Sequence, residues 1–565
     1  MPRVLKLTIP ICLLAATFAP ATHPVLAQCH EEHDALALDA DPFTAKEPIA
    51  PVLEGLGGHH HPVTTSSERA QLFFDQGLKL TYGFNHEEAL RSFKEAARLD
   101  PDCAMAYWGW ALVLGPNLNL AMKPEVVPQA WKAIGLALER KERVSARERD
   151  YIDALAARYS PDPGADRAPL DRAYADAMRE LHGKYPADLD AATLYAASLM
   201  EASPWNYWTP DRRPRPDTPE ILATLEQVLA VDGEHEGALH YYIHAVEPVD
   251  PARGERAADT LDGLAPGAGH LVHMPSHIWM QLGRYRESYD ANARAALADE
   301  GYISQCRAQG MYPLTYFPHN VHFKAWAAIL QGRSKAALEA ARDVRAQVPQ
   351  DLEGDEWALF DAFLAMPLAV MVRFGMWDAV LAEPPPPEGR VYWTGLRRYA
   401  RGMALLRTGK AAEAGAELVA LSALAGDARC AEQPVGFSGC AKLLAIAQEV
   451  LAAEIDAAAG RLEVAIARLD RAVRFQDALP YNEPPDWYYP VRHTLGALLL
   501  EADRALEAEV VYWQDLRKNP DNGYALYGLW QSLLAQGKTD EAAEAERRFR
   551  TAWVDADVQL TSSRF

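Results

Sequence analysis

Residues 70–101 read AQLFFDQGLKLTYGFNHEEALRSFKEAARLDP, and this stretch most constrains what the chain can become. Its apolar positions fall at helical spacing on either side of a polar turn, which predicts two helices folded back on each other. Gly77 and Ala89 are small, so the two helices approach closely, while Phe73 and Phe93 fill the seam between them. Pro101 stops the second helix, because it lacks an N–H and clashes with the preceding turn. Ser66 or Ser67 is placed to cap the first. The same phase returns at the turn glycines Gly283, Gly332, Gly409, Gly460 and Gly537, and Pro520 again stops a helix before a new one begins. One such match is weak evidence; this many in phase predict an all-α solenoid of stacked helix pairs.

Phe73, Gly77, Leu80, Ala89, Phe93, Ala96 and Pro101 occupy consensus positions of the tetratricopeptide repeat, a helix–turn–helix unit of about 34 residues. The chain resembles exported bacterial tetratricopeptide-repeat proteins over most of residues 69–555. That resemblance implies a solenoid with a binding role and no assigned reaction. The pattern divides the chain into a signal peptide (1–27), a flexible His-containing lead-in (28–68), an N-terminal solenoid (69–382), a Pro-rich junction or long turn (383–390) and a C-terminal solenoid (391–565). Pro-rich insertions at 115–128 and 203–218 interrupt the helices. At 565 residues the chain exceeds one compact core. With 49% hydrophobic and 24% charged residues it is globular rather than disordered. A net charge of −22 without any basic stripe argues against nucleic acid and favours cationic partners or metal ions.

The N-terminus carries an export pattern. Arg3 and Lys6 precede the short apolar run LTIPICLLAATFAP, and Ala27 ends a VLA cleavage signal. The expected location is the periplasm or the exterior, with no lasting membrane span. Lipidation at Cys29 is disfavoured, because Gln28 is a poor residue before a lipidated cysteine. Cys430 and Cys440 bracket a Pro/Gly loop and form either a local disulfide or two loop thiols. Cys103 and Cys306 show no pairing signature.

The histidines carry the functional signal. In the resembled repeat, the second, fifth and ninth positions of the first helix face the concave groove. Phased on Gly283, His270, His273 and His277 take those three positions. One repeat earlier, His240 and His244 take the fifth and ninth, and the spacing from His240 to His273 equals that from His244 to His277. One repeat later, His319 and His322 take the second and fifth, with Trp326 at the ninth. Seven of the 17 histidines are thereby assigned to three successive groove helices. Imidazole is a common ligand of zinc and copper, and histidines four apart share a helix face. We therefore expect a copper or zinc site, with Glu247 and Cys306 as further donors and Tyr241, Glu247 and Trp326 lining the groove. Pro275 must either kink the helix between His273 and His277 or start it.

The competing reading is that these histidines hydrogen-bond a bound peptide or sit in helix seams. Neither HxxxH has a glutamate directly after its first histidine, so the zincin pattern is missing; G-x-S-x-G and P-loop patterns are missing too. The leading expectation is a binding scaffold for a peptide, protein or small ligand. A metal-dependent hydrolytic or redox enzyme using the same residues is the alternative. The HEE at 86–88 reads as a helix start, and the CHEEHD at 29–34 and GHHHP at 58–62 read as solvated parts of a flexible segment, with loose metal recruitment as the alternative. His493 sits at a fifth position, far along the chain from the others.

Overall fold

The computed structural model describes residues 40–306, 311–348 and 360–565. The export segment and the CHEEHD at 29–34, with Cys29, lie outside them. Among the described residues the only β pairing is one isolated bridge, Trp208 with Pro214. The chain forms two compact units. The first contains residues 40–278 and 294–317, and the second residues 279–293 and 318–565. The division thus falls inside helices around residues 278–318, and residues 383–390 are a connection within the second unit.

The first unit is built from α1 (Glu68–Tyr82), α2 (His86–Leu99), α3 (Ala104–Leu114), α4 (Val127–Arg140), α5 (Ala146–Ala156), α6 (Arg167–Lys184), α7 (Leu189–Glu201), α8 (Thr218–Val231), α9 (Glu236–Val246), α10 (Pro251–Leu261) and α11 (Gly269–His273). Then follow α12 (Pro275–Gln281), α13 (Tyr285–Cys306) and α14 (Met311–Leu330), within which the division falls. The second unit continues with α15 (Ser334–Gln347), α16 (Asp361–Arg373), α17 (Trp377–Ala382), α18 (Val391–Arg407), α19 (Ala411–Ala425), α20 (Ala428–Glu432), α21 (Cys440–Ala458), α22 (Leu462–Asp477), α23 (Val491–Glu501), α24 (Ala505–Lys518), α25 (Gly523–Ala535) and α26 (Thr539–Ala552). Neighbours in sequence pack as neighbours in space: α1 on α2, α3 on α4, α18 on α19, α25 on α26.

The repeat logic is visible in the seams. A Cβ on Gly77 would lie 2.7 Å from the Phe93 ring, and one on Gly109 would lie 2.3 Å from it, so Phe93 is gripped between two glycines. The second unit repeats this grip at the same spacing, with Tyr512 between Gly496 and Gly528. Gly283, Gly332, Gly409, Gly460 and Gly537 all have positive φ, the left-handed conformation that ends one helix and launches the next. Caps follow the sequence as well. The Ser67 side chain accepts from Ala70 N and Asn85 from Glu88 N, while Ser145 and Glu148 form a reciprocal capping box. These features make each unit a tetratricopeptide-type α-solenoid. Cys430 and Cys440 are joined as a disulfide, with Cα atoms 5.2 Å apart.

Residues 40–67 depart from the expected solvated lead-in. They run as a non-helical strap whose backbone is held by side chains of the first helices. Ile49 N donates to Glu95 (2.9 Å), Leu53 N to Gln76 (2.8 Å) and Thr64 N to Glu148 (2.6 Å). Ile49, Ala50, Leu56 and His61 are buried. Composition suggested solvation because it counts polar residues and cannot see the acceptors waiting for them.

Candidate metal centre

Five of the seven expected histidines come together inside the first unit. His240 and His244 sit one turn apart on α9. His270 and His273 sit on α11, and His277 on α12. Pro275 starts a helix: α11 closes at His273, and α12 begins at the proline. The break does not scatter the imidazoles. Gly269 allows α11 to enter beside a buried carboxylate, since a Cβ there would lie 1.9 Å from Asp299.

All five rings are buried, the most exposed at 5%. They form a packed interior rather than the open groove face expected from repeat phasing. His240 Nδ1 lies 2.6 Å from the Tyr82 carbonyl oxygen, so that nitrogen carries the proton and donates. His244 Nδ1 lies 3.3 Å from Glu247 Oε1, and His277 Nδ1 lies 3.0 Å from Glu247 Oε2. Anchoring one ring nitrogen this way leaves the Nε2 of each ring pointing away from its anchor. Those Nε2 atoms meet other imidazoles. His240 Nε2 and His270 Nε2 are 3.1 Å apart, and His277 Nε2 and His273 Nε2 are 2.9 Å apart. His244 Nε2 is buried with no hydrogen-bond partner among the described residues. Donor atoms of His240, His244 and His270 lie within 4.8 Å of one another.

Burial reinforces this arrangement. It lowers His240 well below the ordinary histidine value, helped by neighbouring His244 and only partly opposed by the Tyr82 carbonyl. His244 is also lowered by burial, against the raising pull of Glu247. Burial pushes Glu247 up, yet His277 and His244 bring it down to about 2, so it is a carboxylate. Neutral imidazoles with one nitrogen anchored by a carbonyl or carboxylate have the protonation state a transition metal requires.

The rest of the shell comes from segments that the repeat pattern marks as irregular. Phe84 stands where later repeats place a turn glycine, and it holds that residue's left-handed backbone, with φ +56°. An L side chain there costs about 1–2 kcal/mol. Its ring lies 4.4 Å from His240, 5.4 Å from His270 and 5.9 Å from His244, centroid to centroid. Trp205, from the 203–218 insertion, stands edge-on to His244 at 5.2 Å. Its Nε1 donates to Asn119 of the 115–128 insertion, and Asn119 donates to the hydroxyl of Tyr316, whose ring is 4.6 Å from His270. Both Pro-rich insertions therefore close over the histidines. Sequence reasoning set them aside as departures; the missed signal was a phenylalanine in a glycine's turn position.

His319 and His322 belong to the second unit, where their rings pack against Phe323 (4.9 Å) and Phe363 (5.2 Å), and burial lowers His322 to about 3. Trp326 is a core residue with Tyr285, Phe323 and Leu330, not a groove wall, because α14 turns that face inward. Tyr241 is buried flat beside His240 (5.6 Å, 12° between rings), a wall of the cluster rather than an open ligand surface. Burial raises the Cys306 thiol, and Glu88 raises it further against the opposing pull of Arg91; it sits beside those two residues and is not a donor to the cluster. Glu247 is present as expected, holding two histidines in place.

A second histidine group was not anticipated. Asp190 on α7 receives His59 Nε2 (2.9 Å), His61 Nδ1 (2.6 Å), His235 Nε2 (3.4 Å) and the Tyr82 hydroxyl (2.5 Å). His235 caps α9 by accepting from Ala238 N through Nδ1, so its Nε2 carries the proton and donates. This is a carboxylate saturated by donors, and it ties the strap to α1, α7 and α9. Beside the cluster lies a cavity of about 180 Å³, lined among others by Glu54, Asn85, Asp299 and Tyr312. The Tyr312 hydroxyl donates to Asp299 (3.0 Å) and accepts from His270 N (2.9 Å).

No family model and no curated protein matches the chain. Among solved structures it is similar to the APC/C hetero-tetramer Cut9–Hcn1, at 12% identity and TM-score 0.28, covering 86% of this chain and 73% of that one. It is also similar to the human IFIT1 dimer with m7Gppp-AAAA, at 11% identity and TM-score 0.30, covering 87% and 91%. A tetratricopeptide repeat protein from Parabacteroides merdae matches at 11% identity and TM-score 0.28, covering 56% and 90%. These likenesses are too low to carry an argument, and the assignment to tetratricopeptide-type solenoids rests on the seams and turns described above.

Proposed function

We propose that the chain is an exported repeat scaffold for a peptide, protein or small ligand, and that its first unit holds copper or zinc among His240, His244, His270, His273 and His277. One observation carries the metal reading. Two pairs of Nε2 atoms face each other at 3.1 and 2.9 Å, with His240 and His277 already anchored through Nδ1. Two nitrogens bound to one tetrahedral ion at ~2.0–2.1 Å are roughly 3.3 Å apart, close to both spacings. The export pattern at the N-terminus supports a location outside the cytoplasm, and the Cys430–Cys440 disulfide suits an oxidising compartment. The neighbouring cavity supports a small ligand beside the metal. Adding Zn²⁺ or Cu²⁺ to metal-stripped protein at a hundredfold excess over Kd should stabilise it by about 2.7 kcal/mol. The rise in melting temperature should be smaller in His244→Ala. An unchanged melting temperature with every ion tried contradicts the metal reading.

A further inference from the structure

We propose that the five imidazoles form two adjacent metal positions rather than one; this rests on the metal reading above and deepens it. The first position is bounded by His240, His244 and His270, whose donor atoms lie within 4.8 Å of one another. The second is bounded by His273 and His277, whose Nε2 atoms are 2.9 Å apart. Five imidazoles exceed the four ligands of a tetrahedral ion, and they are already sorted into two converging sets.

Glu247 links the sets. Its carboxylate reaches one histidine of each, His244 through Oε1 at 3.3 Å and His277 through Oε2 at 3.0 Å. A carboxylate behind a ligating imidazole fixes the tautomer and makes the outer nitrogen a better donor. Here one buried negative charge does so for both positions, and it offsets part of the repulsion between two neighbouring cations. The positions are close: the His244 and His277 rings are 5.7 Å apart, and His270 and His273 are 5.8 Å apart, centroid to centroid. Ions held at such neighbouring sites interact magnetically if both are Cu²⁺. The ligands this centre takes are therefore two imidazole-preferring transition ions, with room in each coordination sphere for a further donor.

The test loads the full metal-stripped chain with Cu²⁺, removes excess by gel filtration, and reads copper per chain and the electron paramagnetic resonance signal. Two coppers per chain are expected, with a signal much weaker than the copper content because the pair is coupled. His273→Gln and, separately, His277→Ala should each bind one copper and show the full signal of an isolated ion, with circular dichroism confirming that each variant is folded. One copper per chain in the unaltered protein overturns the two-position inference and leaves the metal reading standing. No copper overturns both.

Discussion

His493 and the five-histidine cluster are equally deep, yet they are wired in opposite ways. His493, in the second unit, has both ring nitrogens occupied: Arg373 donates to Nδ1 at 2.7 Å, and Nε2 faces Asp515 at 2.8 Å. Its ring also lies nearly parallel to Tyr524. In the cluster, each of His240, His244 and His277 has one nitrogen anchored to a protein oxygen, and the other either meets a second imidazole or has no hydrogen-bond partner. A buried histidine with both nitrogens satisfied is a strut. One anchored to a protein oxygen through one nitrogen, with the other turned toward a second imidazole instead of a charged side chain, is arranged as a ligand.

The largest expected effect breaks the strut. His493→Ala strands Arg373 and Asp515 in the second unit's interior, and losing one partner of a buried charged network costs about 3–5 kcal/mol. Denaturant unfolding should show that loss while metal content stays unchanged; a drop in bound metal would erase the distinction between the two regions. Next is Phe84→Ala. It removes a ring packed on three histidines while keeping the left-handed strain, and deleting a buried phenylalanine costs about 3–5 kcal/mol. Phe84→Gly relieves that strain and should recover about 1 kcal/mol of the loss; if it is no more stable than the alanine variant, the turn is not strained. Glu247→Gln sharpens the comparison from the ligand side. Loss of the shared carboxylate should weaken metal binding by about 10–100-fold, read by competition with a chelating dye. Unchanged affinity would mean that Glu247 orients no ligand.

The smallest effect concerns the Asp190 knot and is pH dependent. Burial pulls His59 down, but Asp190 and Glu236 outweigh it and raise it above the usual histidine value. Its contribution is full below its unfolded value of about 6.5 and is lost as pH rises through the raised one. Burial pushes Asp190 up, yet the hydrogen bonds from His235, His59 and His61 hold it well below the carboxylate range. That contribution is present above its unfolded value of about 3.9 and is lost as pH falls through the depressed one. The strap should therefore hold best between roughly pH 4 and 6.5. Hydrogen exchange over residues 57–63, corrected for intrinsic rates, should show less protection at pH 8.5 than at pH 6; equal protection would remove His59 from the knot.

Much of this was legible in sequence where a local rule acts. The five turn glycines, the Gly77–Phe93 seam and the Ser67 cap each depend on a few neighbouring residues, and the chain adopts them as read. Phasing also found the five histidines that converge, because α9, α11 and α12 keep the repeat register despite Pro275. It assigned His319, His322 and Trp326 to the same face, although Trp326 turns inward to its own unit's core. What phasing could not supply was contact across long loops. The Tyr82 carbonyl, Trp205, Asn119 and the donors around Asp190 meet their partners only after the insertions and the strap fold back, and no periodicity encodes that.

The central claim is that wiring, not burial, makes the cluster a metal centre. Elemental analysis of the unaltered chain, His493→Ala and a His240→Ala/His244→Ala double variant, all purified identically and loaded with copper or zinc, tests it most directly. The account predicts stoichiometric metal in the first two and a loss to background or a single residual ion in the third. Metal retained in full by the double variant, or absent from all three, would contradict it.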